Sequence, residues 1–208
     1  GGVAMSDSAT WPERYAATAL GWETTPDELV AGVCGRLPPG RALLLCAGEG
    51  RNALWLAGRR WTVTAVDPSQ VCVGRILSRA ALMGVSVDAL MADVLSYHPP
   101  PGADDLVLLA YPELSSALVR RLLGIAAAAL RPGGRLVIVG RDASNLDSGY
   151  GGPDDPDLLT TPEALSRWVT ALGLDVCRAD VVRREVVVDV GVRHVQDHVV
   201  EAVRPASA

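Results

Sequence analysis

The sequence predicts an α/β fold: a Rossmann-like seven-stranded sheet, mostly parallel, with one antiparallel strand in a C-terminal β-hairpin and helices on both faces. Three observations carry this. Apolar runs at 42–45, 62–66, 85–91, 106–110 and 135–139 alternate with helical patterns. They are continuous rather than period-two, as strands of a parallel sheet covered on both faces must be. The first run leads straight into a glycine turn, Cys46-Ala47-Gly48-Glu49-Gly50, and a helix start at Arg51. Finally, 175–190 and 194–204 are β-rich, lack a helix between them and are joined by Asp189-Val190-Gly191, so they pair as a hairpin.

Taken in order, Gly1 and Gly2 ahead of Met5 read as an expression-tag remnant covering 1–4, which leaves 5–208 as one domain. Residues 11–37 form a helical cap on it. Trp11 to Leu20 makes a short helix; a firmer one starts at Thr25-Pro26-Asp27-Glu28, with Thr25 as cap, Pro26 at the first helical position and Glu28 closing a capping box. The glycine loop then lies at the carboxyl end of the first strand, where open α/β sheets bind ligands. Gly48 and Gly50 let the backbone turn and approach a ligand, and the following helix points free N–H groups over the loop. Asp67, ending the second strand, suits a ribose diol. The 141–160 segment, with Asn145, Gly149, Tyr150, Gly151 and Gly152, is the long irregular stretch and reads as a substrate lid.

Composition narrows the function classes. The chain has 208 residues and a net charge of −5 with scattered arginines, which disfavours a nucleic-acid partner. No apolar run approaches the length of a membrane span. Lysine is absent, which excludes a lysine Schiff base or lysine general base. Cys34, Cys46, Cys72 and Cys177 are widely spaced, indicating neither zinc nor a disulfide framework and fitting a reducing cytoplasm. His98 precedes three prolines and reads as a loop residue. His194 and His198, four apart in a strand-forming segment, are not stacked like a helical ligand pair and have no third ligand near, so no metal is expected.

Two nucleotides compete for the loop. Gly48-x-Gly50-x-x-Ala53 satisfies a dinucleotide fingerprint. Against NAD stand some forty residues ahead of the fingerprint, the lack of a second region for a hydride acceptor, and the terminal hairpin. The same features resemble the class I S-adenosylmethionine-dependent methyltransferases. The resemblance rests on Gly48-Glu49-Gly50-Arg51-Asn52, Val66-Asp67-Pro68-Ser69, Ala92-Asp93-Val94, Asp105-Leu106-Val107-Leu108-Leu109 and Leu130-Arg131-Pro132-Gly133-Gly134, five motifs in order. More narrowly, Trp11-x-x-Arg14-Tyr15, the Gly-Glu-Gly-Arg-Asn loop and Gly151-Gly152-Pro153 are similar to small tellurite-resistance-type methyltransferases.

This resemblance implies S-adenosyl-L-methionine as cofactor. Cys46, Ala47, Gly48, Glu49, Gly50 and Asn52 would surround its methionine part. Asp67 would accept both ribose hydroxyls, with Pro68 and Ser69 beside it. Asp93 and Val94 would hold the adenine, Leu109 and Tyr111 would border the sulfonium, and Arg14 with Tyr15 would close over the carboxylate. Leu44 and Cys46 depart from the family pattern, which has an acid and a small residue there. The expected reaction is in-line methyl transfer to a small-molecule acceptor, with Tyr111 or Asp142 as the available base and Trp22, Arg141, Asn145 and Tyr150 around the acceptor. Rival readings are a catalytically silent binding protein on the same fold and a nicotinamide-dependent reductase.

Overall fold

A computed structural model describes residues 25–206. Arg14, Tyr15, Trp22 and the predicted helix at 11–20 lie outside the described residues.

The elements run α1 (Glu28–Cys34), β1 (Arg41–Leu45), α2 (Arg51–Gly58), β2 (Thr62–Asp67), α3 (Gln70–Met83), β3 (Val87–Met91), β4 (Asp104–Ala110), α4 (Ser116–Ala129), β5 (Leu130–Arg141), α5 (Asn145–Ser148), a short 3₁₀ turn (Pro156–Leu158), α6 (Pro162–Ala171), β6 (Asp175–Val188) and β7 (Gly191–Val203). One seven-stranded sheet has the order β3-β2-β1-β4-β5-β7-β6. β1 to β5 are parallel, and β7 runs antiparallel to both β5 and β6. The strand order reverses between β1 and β4, and a ligand crevice is expected at the carboxyl ends there.

Alternation along each strand divides the core. Ala42, Leu44, Leu106 and Leu108 pack with Val30 and Val33 of α1, Leu54 and Leu56 of α2 and Ile76 of α3. Their neighbours Leu43, Leu45, Val107 and Leu109 pack on the other face with Leu122 and Leu123 of α4 and Leu165 and Val169 of α6. Both sets are buried, which is why the strands read as unbroken apolar runs. No helix among the described residues is long and apolar enough to cross a membrane.

Local details differ from the sequence reading. The cap of α1 is Asp27, not Thr25: its carboxylate accepts the N–H groups of Leu29 and Val30, and the helix starts at Glu28. The hairpin closes through two residues, Asp189 and Val190, with Val188 paired to Gly191. The 141–160 segment is no irregular flap. It contains α5 and the 3₁₀ turn, and it is stitched down by an Asp142–Thr160 bridge and by Asn145. The Asn145 amide donates to the Gly151 carbonyl at 2.8 Å and accepts from the Gln196 N–H at 2.9 Å.

Candidate active site

A cavity of about 580 Å³ opens at the carboxyl ends of β1, β2 and β4, between the glycine loop and the turn after β4. That size is within the range of small-molecule and cofactor sites. Of the predicted cofactor residues, Cys46, Ala47, Gly48, Glu49, Gly50, Asn52, Asp67, Pro68, Asp93, Val94 and Tyr111 line it. Leu44, Leu45, Arg51, Leu95, Leu108, Ala110, Pro112, Glu113 and Leu114 complete the wall.

The loop's conformation follows from its residues. Cys46, Gly48 and Gly50 all have positive φ, at 59°, 58° and 85°. At Gly50 a Cβ would lie only 2.4 Å from Ile76 Cγ1, so glycine lets the loop lie against α3. Asp67 ties this loop to the second strand: its two oxygens accept the Gly48 N–H at 2.8 Å and the Ser69 N–H at 2.9 Å. Each carboxylate oxygen keeps a further lone pair for a hydroxyl. Burial raises the Asp67 pKa above the usual aspartate value, against the two backbone hydrogen bonds. Asp93 is exposed and turns the chain after β3 by accepting the Leu95 N–H at 3.0 Å. Cys46 stays a thiol, since burial, with Asp67 and Asp93 nearby, pushes it up to about 12.

Other predicted residues have different duties. Leu109 is fully buried on the far face of β4, and its neighbours Leu108 and Ala110 reach the cavity instead, because successive strand residues point to opposite faces. Ser69 is buried and caps α3 by accepting the Cys72 N–H. Glu49 is ion-paired to Arg75. The Asn52 side chain accepts the Asp27 N–H at 2.9 Å, joining α2 to the start of α1. Tyr150 is 45% exposed and lines neither cavity. Asn145 is spent pinning its segment, so neither it nor Tyr150 is placed as an acceptor ligand.

Tyr111 is not placed as a base. Its hydroxyl lies 3.1 Å from Asp27 and 3.0 Å from Asp197 and accepts from Arg184 at 3.0 Å. Burial, followed by those two carboxylates, pushes the phenol well above its ordinary pKa. The network extends to Arg141, which donates to Asp197 at 2.6 Å and sits over the Tyr111 ring at 5.8 Å, and to Arg51, 3.3 Å from Asp27. Asp27 and Asp197 are buried, so two buried anions are compensated by arginines from β5, β6 and α2.

Beyond Tyr111 to Leu114, which both spaces share, a crevice of about 20 Å³ runs under the 153–160 segment to Gly140, Arg141 and His198. It has room for a water-sized group, not for an acceptor molecule. Among the described residues the space beneath this segment is too small for the expected acceptor, because the segment is packed down. Asp142 lies behind this crevice, lining neither space. Its Oδ1 accepts from the Ser144 N–H and hydroxyl, while Oδ2, buried and without a hydrogen-bond partner, faces His198 Nδ1 at 3.9 Å. Sequence reasoning missed His198. The signal was the β5–β7 register, which sets Gly140 opposite His198 and which spacing within one strand does not reveal.

Comparison with known proteins agrees with this geometry. Residues 42–134 match a family described as a methyltransferase domain. TehB from Haemophilus influenzae superposes with a TM-score of 0.71 at 16% identity over 93% of this chain and 65% of that one. An S-adenosylmethionine-dependent methyltransferase from Methanosarcina mazei gives 0.67 at 15% identity over 84% and 97%. The fold is the Rossmann-like methyltransferase fold. A protein from echinomycin biosynthesis, studied for converting a disulfide bond into a thioacetal group, also shares this methyltransferase fold, at 0.70, 19% identity, 88% and 84%. No curated protein sequence matches the chain. The domain match and the methyltransferase neighbours support S-adenosylmethionine as the cofactor.

Proposed function

We propose that this chain is an S-adenosylmethionine-dependent methyltransferase acting on a small-molecule acceptor. The observation that carries the reading is Asp67: a buried carboxylate, fixed through both oxygens by the glycine loop and its own strand end, on the wall of the 580 Å³ cavity. The residues present fit the cofactor. Asp67 offers two acceptors to a diol, Asp93 and the Val94 main chain stand where an adenine edge would be read, and Cys46 to Gly50 form a main-chain cradle for the methionine part. Where the family pattern has an acid, Leu44 is buried, and Glu113 supplies a carboxylate elsewhere on the same wall.

The cofactor supplies an electrophilic methyl group. The chain's share is to hold the acceptor in line behind that group and to exclude water, and positioning alone supplies much of the acceleration. The acceptor body shares the large cavity, bordered by Pro112, Glu113 and Leu114. The resemblance of Gly48-Glu49-Gly50-Arg51-Asn52 and Gly151-Gly152-Pro153 to tellurite-type motifs favours a small, soft or anionic acceptor in a reducing, cytoplasmic setting. The free thiols of Cys34, Cys46, Cys72 and Cys177 fit that setting.

Isothermal titration with S-adenosylhomocysteine, alongside NADH and an Asp67→Ala control, tests the assignment. Micromolar binding that is lost in the control and absent for NADH supports it. Selective NADH binding would favour a reductase, and no binding of either would leave a silent member of the fold.

A further inference from the structure

Four side-chain polar atoms among the described residues are buried without a hydrogen-bond partner: Arg141 Nε, Asp142 Oδ2, Ser166 Oγ and His198 Nδ1. Two of these face one another across 3.9 Å, and both residues are about 97% buried in their side chains. Leaving a buried acceptor and a ring nitrogen unsatisfied costs stability, because each has given up its hydrogen bond to water. A carboxylate and an imidazole stranded together are therefore in need of an explanation. His198 also lines the end of the crevice that leads from the cofactor cavity, with Asp142 behind it.

We infer that His198, oriented by Asp142, accepts the proton released by the acceptor's hydroxyl, amine or thiol during methyl transfer. This rests on the methyltransferase reading. His198 is the group in contact with the proton; Asp142 is a positioning residue. With Nδ1–H directed at Asp142 Oδ2, the Nε2 lone pair is left as the base. The Cε1–Nε2 edge lies over Gly140, where a Cβ would come within 2.9 Å of Nε2 and 3.0 Å of Cε1; only glycine leaves the ring room at this wall of the crevice. The reacting group, or one water relaying its proton, fits the crevice. As the acceptor's electron pair forms the bond to the methyl carbon, the carbon–sulfur pair returns to sulfur. The acceptor proton passes to Nε2, giving an imidazolium that later releases it to solvent.

The surroundings set the resting state. Burial lowers the His198 pKa to about 4, opposed by Asp142, Asp197 and the Thr160 backbone. On β5 the ring faces Gly140 and on β6 Val181, neither of which titrates, and Arg141, Glu113 and Tyr111 line the same crevice. The ring is thus neutral near pH 7, ready to accept rather than donate. Shortening the gap to Asp142 to hydrogen-bond length, as catalytic pairs do once substrate is bound, raises its basicity.

Imidazole nitrogen NMR tests the pair directly in the free protein and with S-adenosylhomocysteine added. The expected result at pH 7 is a neutral His198 ring carrying hydrogen on Nδ1. Asp142→Asn, which preserves the Ser144 contacts, should shift the tautomer ratio at least tenfold toward Nε2–H and lower the His198 pKa. A wild-type ring protonated on Nε2, or a ratio untouched by Asp142→Asn, would overturn the pair. His198→Gln should keep S-adenosylhomocysteine affinity within twofold while kcat for a phenol acceptor falls at least 100-fold. A phenol turned over within threefold of wild type overturns the role of His198. Loss of homocysteine-ligand binding by the wild type would instead sink the methyltransferase reading, and the NMR result judges the pair independently of it.

Discussion

Gly50→Ala separates two reasons for a glycine at the head of the cofactor loop. The first is conformational: Gly50 has φ at 85°, and a Cβ in the left-handed region costs about 1–2 kcal/mol. The second is steric: the new Cβ would stand 2.4 Å from Ile76 Cγ1 and 3.0 Å from Cδ1, and Ile76 is fully buried in the core. Overpacking of this kind costs about 1–3 kcal/mol. The sum is about 2–5 kcal/mol by urea denaturation. The loop itself must yield, because α3 behind Ile76 is packed on the core, so S-adenosylhomocysteine affinity should fall at least tenfold, about 1.4 kcal/mol.

A double-mutant cycle isolates the steric part. Ile76→Ala removes every atom beyond Cβ and itself costs about 2–5 kcal/mol as a cavity. In that background Gly50→Ala should cost only the conformational share, giving a favourable coupling of about 1–3 kcal/mol, well above the scatter of additive sites. Ligand affinity should recover part of its loss in the double variant, with isothermal titration as the readout. Equal cost of Gly50→Ala in both backgrounds would refute the steric argument and leave backbone conformation as the whole reason.

Asp67 gives a pH signature with opposite signs for two observables. Its folded pKa is raised, so S-adenosylhomocysteine affinity should be full above that pKa and fall as pH drops through it, beginning at a higher pH than an ordinary aspartate would allow. Its contribution to fold stability should instead improve over that window, because protonation relieves a buried charge; urea midpoints and titrations from pH 7 to 4 check both. Arg184→Leu should cost about 3 kcal/mol, the low end for stranding a buried charge, because Asp197 keeps Arg141 at 2.6 Å. A melting temperature about 6–12 °C lower is the expected reading for a chain of this size. Iodoacetamide at pH 8 should label exposed Cys177 and spare Cys46, whose pKa of about 12 leaves almost no thiolate although it lines the cavity.

Much of this is legible in the sequence. Continuous apolar runs announced a doubly covered sheet, and the Gly48–Gly50 turn with Asp67 announced the crevice, because both are written in local sequence. What remained hidden is what local sequence does not encode. A strand buried on both faces has no apolar alternation to mark its phase, so the sequence points to Leu109 where Leu108 and Ala110 line the cavity. A capping aspartate looks the same at 27 as a threonine does at 25 until the helix start is fixed. Asn145 and His198 owe their roles to Gln196 and Gly140, residues 51 and 58 positions away, and strand register alone brings such pairs together.

That register also explains why a terminal hairpin, remote in sequence from the cofactor loop, belongs to the site. Asp197 and His198 are consecutive in β7 and point to opposite faces of the sheet. Asp197 meets Arg184, Arg141 and Tyr111 on one side, and His198 meets Asp142 on the other. A one-residue slip of β7 against β5 would exchange the faces, turning Asp197 toward Asp142 and depriving Arg141 and Arg184 of the carboxylate they share. Both errors are costly in a buried setting. The hairpin's alignment is thus fixed by charges on both faces, and the same alignment delivers Tyr111's anchor and the histidine to the end of the crevice. Structural specificity and the proposed chemistry are demands on the same two residues.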